Sequence, residues 1–336
     1  MRLVQVSASV SASRIALGIA SLALLVSACQ VLGTSGPASI TVGVVPGVDN
    51  APLRVGLQDG LFREHGLNVV VKTYSSLRLE FQALRSGRVN IAVGDYADFF
   101  YEDATGKASL RLIADGYDAA PNTMEVLTLP SSGITTPQGL EHKVVATPEP
   151  QLIPSFSGSY SSDVVPFSME TLATESVLVS DGITPTAVTW KPTPMQDMIG
   201  ELRSGQVSAI LATEPYIIQA ESQLGAVEVM DSCSGLTANV PLSGYFSLAA
   251  YSGAHSAQLQ QFRAALASAQ ADAANRGSLQ AMLPHFTGMS TRNAALVTLG
   301  SFPTSLSIDQ IQRVADLMYG SGLINNPLSV SSLASG

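Results

Sequence analysis

The chain has 336 residues, a formal net charge of −9 and 46% apolar residues, enough for two globular lobes of ordinary domain size. Nucleic acid is excluded as a partner, because phosphate binding needs clustered Lys and Arg and the sequence holds no basic run. Two cysteines, Cys29 and Cys233, cannot build a disulfide framework.

At the start of the chain, Arg2 and Arg14 precede an apolar run from Ile15 to Val26, followed by Ser27, Ala28 and Cys29. This is the pattern of a secretory signal, and the run falls short of the roughly 20 residues that a spanning helix needs. The phrase Val26-Ser27-Ala28-Cys29, preceded by Leu24 and Leu25, resembles the lipobox of bacterial lipoproteins. That resemblance implies that residues 1–28 are removed and that Cys29 becomes the lipidated first residue. Acyl chains would then hold the protein at the extracytoplasmic face of the cell membrane without its crossing. Residues 29–39, with small and polar Gly33 to Ser39, read as a flexible tether.

Val42 to Val45 is a short apolar strand, and Pro46 to Asn50 follows as a polar turn. Asn50 stands at an expected helix N-cap, with Pro52 just inside the helix and Gly66 just beyond it. Leu53, Leu57, Leu61 and Phe62 recur at helical spacing between them. Leu67 to Tyr74 reads as a strand, and a helix carrying Leu77, Phe81 and Leu84 closes at Gly87. The alternation predicts a mainly parallel sheet with helices on its faces.

A second alternation begins after the turn formers Pro130 to Gly133. Lys143 to Ala146, Thr186 to Trp190 and Val227 to Met230 read as strands; Pro166 to Val179, Pro194 to Arg203 and Glu214 to Leu224 read as helices. Tyr245 to Tyr251 is expected to be a strand crossing back to the first lobe. Three further helices, Ala254 to Asn275, Thr291 to Leu299 and Ser307 to Tyr319, are expected to complete that lobe. Lobe 1 is thus predicted over 40–129 and 246–336 and lobe 2 over 130–245, joined by a two-strand hinge of the kind that closes around ligands.

One phrase is written twice: Leu84-Arg85-Ser86-Gly87-Arg88-Val89 and Leu202-Arg203-Ser204-Gly205-Gln206-Val207. Each copy ends a helix and opens a strand, and each strand then delivers a carboxylate and a tyrosine, Asp95 with Tyr96 and Glu214 with Tyr216. Ligands of open α/β sheets bind beyond the carboxyl ends of strands, so these pairs are predicted to face one another across a cleft.

Several phrases then resemble one family, the ABC-transporter substrate-binding proteins for nitrate, sulfonates, taurine and thiamine-precursor pyrimidines. They are Asp59-Gly60-Leu61-Phe62-Arg63-Glu64-His65-Gly66-Leu67, Gln82 to Gly87, Ile134 to Leu140, and Glu214-Pro215-Tyr216. The resemblance implies a two-lobed type II periplasmic-binding-protein fold, a small-molecule ligand, a permease with its ATPase subunits as partners, and a monomer without cofactor. The hydroxyl-rich run from Ser155 to Ser162 departs from the family pattern, so the ligand of any one relative does not transfer.

The candidate ligand contacts are Asp49, Asn50, Tyr74, Ser75, Asp95, Tyr96, Ser157, Ser159, Trp190, Glu214, Tyr216 and Tyr245. The turns after the strands offer helix N-termini to an anion; the carboxylates disfavour an anion and suit a pyrimidine amine. Asp95 and Glu214 have a plainer alternative as helix caps, and the tyrosines and Trp190 as core. His65, His142, His255 and His285 are scattered, which argues against a metal centre. No nucleophile elbow, P-loop or dinucleotide fingerprint occurs. Rival readings are a lipid-anchored sensor module and an enzyme of pyrimidine-synthase type on the same fold.

Overall fold

A computed structural model describes residues 38–152 and 168–335. The signal and tether predictions, Cys29, Ser157 and Ser159 therefore lie outside the described residues.

The first half runs β1 (Ala38–Val44), α1 (Ala51–Gln58), α2 (Leu61–Glu64), β2 (Leu67–Thr73), α3 (Leu77–Arg85), β3 (Ile91–Asp95), α4 (Tyr96–Ala104) and β4 (Leu110–Asp118). The chain then forms β5 (Met124–Thr128), β6 (Val144–Pro148), α5 (Met169–Ser180), β7 (Thr189–Thr193), α6 (Met195–Ser204), β8 (Ala209–Thr213), α7 (Tyr216–Leu224) and β9 (Val227–Asp231). After β10 (Pro241–Leu248) the tail is helical: α8 (Ala249–Ala254), α9 (Ser256–Ala273), α10 (Arg276–Met282), α11 (Pro284–Thr287), α12 (Thr291–Leu296), α13 (Ile308–Gly320) and α14 (Val330–Ala334).

These strands form two five-stranded sheets of matching order, β2-β1-β3-β10-β4 and β7-β6-β8-β5-β9. In the first, β1 pairs in parallel with β2 and β3, while β10 is antiparallel to both β3 and β4. In the second, β6 is parallel to β7 and β8, and β5 is antiparallel to β8 and β9. Each sheet therefore has four strands pointing one way and one reversed strand wedged between the third and fourth.

The reversed strand is the one that arrives from the other sheet. β5 follows β4 into the second sheet, and β10 follows β9 back into the first. The chain thus crosses at 119–123 and 232–240, upstream of the expected positions near Leu129 and Tyr245. Met124–Thr128 is buried at every position, so it shows no alternation by which to recognise it as a strand inserted among neighbours.

Local chemistry explains the elements that shape the cleft. Ser76 caps α3, its hydroxyl accepting from the Leu79 N–H at 3.4 Å. Both copies of the repeated phrase carry a left-handed glycine just after the helix, Gly87 at φ +70° and Gly205 at φ +73°. Both also close with the same bond, Arg88 N–H to Ala83 C=O at 2.9 Å and Gln206 N–H to Glu201 C=O at 3.0 Å. Asn50 occupies the N-cap position of α1 but makes no side-chain cap. A 3-10 turn over Val48–Asn50 comes first, and the Asn50 amide turns back to donate to Val45 C=O at 2.6 Å.

The core follows the layers. α9 covers β1, β2 and β3 through Phe262, Leu259 and Leu266 against Ile40, Val42 and Phe62. A larger apolar cluster is continuous from Phe81, Phe99 and Phe246 of the first sheet's layer to Leu172, Leu178 and Trp190 of the second, and includes Ile311 and Val314 of α13. Phe246 stacks on Phe99 with ring centroids 4.3 Å apart. Among the described residues no helix is long and apolar enough to cross a membrane.

Candidate functional site

A cleft opens where the carboxyl ends of the forward strands of both sheets meet. Its inner part, about 230 Å³, is lined by Asp49, Asp95 and Tyr117 from the first sheet's side and by Glu170, Glu214 and Tyr216 from the second's. An outer part of about 530 Å³ shares Asp49, Asp95, Glu170 and Met195 with it and adds Ser75, Asp98 and Glu149.

Strand register sets the floor of the first side. Ser243 of β10 pairs with Asp95 of β3 and with Tyr117 of β4, so one row across three strands carries a carboxylate, a hydroxyl and a phenol to the inner cavity. The Tyr117 hydroxyl accepts from the Gly300 N–H at 2.7 Å, which joins the tail to the cleft wall. Asp95 caps α4: its Oδ1 accepts from the N–H groups of Ala97 at 2.6 Å and Asp98 at 3.4 Å. The neighbouring Asp98 reaches the other side, accepting from the Leu152 N–H at 2.9 Å.

Glu214 is held differently. It precedes Pro215 across a cis peptide bond. Its Oε2 accepts from the Ile218 N–H at 3.2 Å and its Oε1 from the Thr298 N–H of the tail at 3.1 Å.

The cleft carboxylates are hard to ionise together. Burial, then the charges of Glu170 and Asp98, hold Asp95 well above the usual carboxylate range. Burial also raises Glu170 and pushes Asp49 up to about 6 and Glu214 up to about 7, with hydrogen bonds only partly offsetting it. Asp49, Asp95 and Glu170 keep some exposure, but so much protein surrounds them that desolvation still dominates. Neither part of the cleft is lined by a lysine, arginine or histidine among the described residues, and the sequence of 153–167 contains none.

Of the residues singled out from sequence, the structure brings Asp49, Ser75, Asp95, Glu214 and Tyr216 to the cleft. It takes others elsewhere. Tyr96 is fully buried with its hydroxyl donating to Asp115 Oδ1 at 2.8 Å. Tyr245 is fully buried on the face of β10 that packs on Phe262. Trp190 is in the core, its indole N–H donating to Pro185 C=O at 3.1 Å. Asn50 is buried beneath its turn, and Tyr74 packs on the core rather than lining the cavities.

Sequence reasoning missed Glu170, Tyr117, Met195 and Ser243. Glu170 stands two residues after the α5 cap Ser168, where an acidic residue reads only as a complement to the helix dipole. Cys233 is buried, and its Sγ meets the Thr123 hydroxyl at 3.7 Å. Burial pushes its thiol up to about 12, which keeps it protonated and a poor nucleophile. Among the described residues no three His, Cys, Asp or Glu come together in a way that could hold a metal ion.

Comparison with known proteins agrees with this architecture. The sequence profile of the NMT1-like family matches residues 33–282, and no curated protein sequence matches the chain. Among solved structures, the periplasmic aliphatic sulphonate binding protein SsuA from Escherichia coli superposes with a TM-score of 0.69 at 18% identity, covering 89% of this chain and 97% of its own. The alkanesulfonate-binding protein SsuA from Xanthomonas axonopodis pv. citri, bound to MOPS, gives 0.67 at 18% identity, with 90% and 99% covered. The desulfurization enzyme DSZB gives 0.63 at 15% identity, with 89% and 96% covered. At these identities the likeness establishes the fold, a two-lobed periplasmic-binding-protein architecture.

Proposed function

The chain belongs to the NMT1-like family, and from that premise we propose that it is the extracytoplasmic solute-binding component of an ABC importer. Its two lobes close around one small polar organic molecule, and the closed form is what the permease and its ATPase subunits recognise. The observation that carries this reading is the cleft itself, lined from both sheets at the carboxyl ends of their strands. A thiamine-precursor pyrimidine or related amine is the favoured ligand, because the cleft offers carboxylates and a tyrosine. A sulfonate, the class named for the similar SsuA proteins, is the second candidate.

Binding rather than turnover is favoured by the similarity to the SsuA proteins, which are binding proteins. Lipid on Cys29 would anchor the monomer at the membrane surface. Native mass spectrometry of the purified chain tests the reading: a single small molecule should be retained, released on unfolding, and recovered chemically unchanged after incubation. A molecule converted on incubation would make the protein an enzyme. Metabolic labelling with a fatty acid should mark the wild-type chain and not Cys29→Ala.

A further inference from the structure

Three carboxylates approach the cleft from three separate elements. Asp49 comes from the turn after β1, Asp95 from the end of β3, and Glu170 from the first turn of α5 in the opposite lobe. All three line both the inner and the outer cavity, so they surround the passage between them. Asp98 and Glu149 add further negative charge on the outer side, and no cationic side chain lines either part among the described residues.

A second observation is independent of the carboxylates. Ser243 lines the inner cavity, is 5% exposed, and its hydroxyl has no partner at hydrogen-bonding geometry. It leans on Asp49 closely enough to favour that group's ionised form, yet leaves its own bonding capacity unfilled. A buried hydroxyl without a partner costs free energy unless something else supplies one. An ionised carboxylate beside it can only accept, so a donor group on a ligand fits the site.

We propose that the cleft selects a small organic cation, whose positively charged nitrogen is clamped between Asp95 of one lobe and Glu170 of the other, with Asp49 and Ser243 completing its acceptors. This inference rests on the solute-binding reading and adds the charge of the solute. The clamp also accounts for closure. Glu170 raises the cost of ionising Asp95 across the cleft, so ionising both carboxylates opposes closure of an empty cleft, and a cation between them turns that opposition into attraction.

The rest of the cavity limits the ligand's shape. Tyr216, Met195, Tyr117 and Leu242 offer an apolar wall beyond the carboxylates. The inner cavity, about 230 Å³, is below the roughly 300–1,000 Å³ typical of drug-sized ligands. A short amine, an amidine or guanidine on a short stem, or a protonated aminopyrimidine meets both limits. The carboxylates are spread around the cavity and do not converge in a metal-holding group, which suits an extended organic cation rather than a bare ion. The acidic outer cavity would concentrate such a cation at the entrance.

The test is a thermal-shift and calorimetric panel on the full chain. Putrescine, agmatine, ethylammonium and 4-aminopyrimidine are the cationic probes, and ethanesulfonate and nitrate the anionic ones. At least one cation should bind, and Glu170→Gln and Asp95→Asn should each weaken it tenfold or more. Asn caps a helix as well as Asp does, so Asp95→Asn removes the charge while keeping the start of α4 intact. Binding of ethanesulfonate or nitrate that is unchanged or tighter in Glu170→Gln would overturn the cation assignment and leave the solute-binding reading standing. No binding by either class, together with no retained molecule in native mass spectrometry, would count against both.

Discussion

The two copies of the Leu-Arg-Ser-Gly phrase place equivalent residue pairs at equivalent strand ends, but the tyrosines of the two pairs have different tasks. In the first lobe Asp95 lines the cleft and Tyr96 is sealed in the core on Asp115. In the second, Tyr216 lines the cleft together with Glu214, whose two oxygens are tied to the Ile218 and Thr298 N–H groups. A repeated backbone path fixes where a side chain starts, whereas the layer packed against it decides what that side chain does. Phe99 and Phe100 of α4 itself pack with Phe246 of β10, and this aromatic group receives Tyr96 at 5.3 Å from Phe100 and 5.6 Å from Phe246. Among the described residues the cluster around α7 holds no other aromatic side chain, and Tyr216 packs at its margin.

Substitutions that treat the two copies alike should therefore give unlike results. Tyr96→Ala should cost about 3–5 kcal/mol, as for other buried aromatic truncations, and unfold the first lobe well before Tyr216→Ala affects the second. Urea denaturation read by fluorescence and circular dichroism would show this, and equal losses would erase the distinction. Glu214→Ala should cost about 1–3 kcal/mol, because two backbone N–H groups lose their acceptor. Asp95→Asn should cost under about 0.5 kcal/mol because the cap survives. A stability ranking with Asp95→Asn as the more damaging change would reverse the assigned roles.

The glycines test what the copies still share. Gly87→Ala and Gly205→Ala each force a side chain into the left-handed region, at about 1–2 kcal/mol apiece. The two losses should agree in denaturant titrations, since nothing lies within 4 Å of an added Cβ at either position. A separate test is the dependence on pH. Asp49 is raised to about 6 and Glu214 to about 7, so the neutral folded forms are favoured. Their contribution is complete below pH 4 and is lost as pH rises through 6 and 7. Asp115 at about 6 and Glu125 and Glu175 at about 7 act in the same direction. The melting temperature of the empty chain should fall between pH 5 and pH 8, and a rise across that range would contradict the assignment.

Much of the fold was legible in the sequence because it is written locally. The alternation of strand and helix, the closing glycines and the carboxylates at strand ends all follow from propensities that act over a few residues. Glycine at φ +70° carries its reason with it. The reversed strands were harder. β5 is buried throughout, and β10 was expected to begin at Tyr245 but starts at Pro241, because its register is set by β3 and β4, more than a hundred residues away.

By itself the sequence determined the two repeating α/β units and named the strand ends as the place to look. Only the tertiary structure decided which side chains meet there. It turned Tyr96, Tyr245 and Trp190 into the core and brought Tyr117, Ser243 and Glu170 to the cleft beside Asp49 and Asp95. The physical reason is that a strand or helix fixes the period of its faces, while desolvation and long-range pairing choose which face is buried and against what.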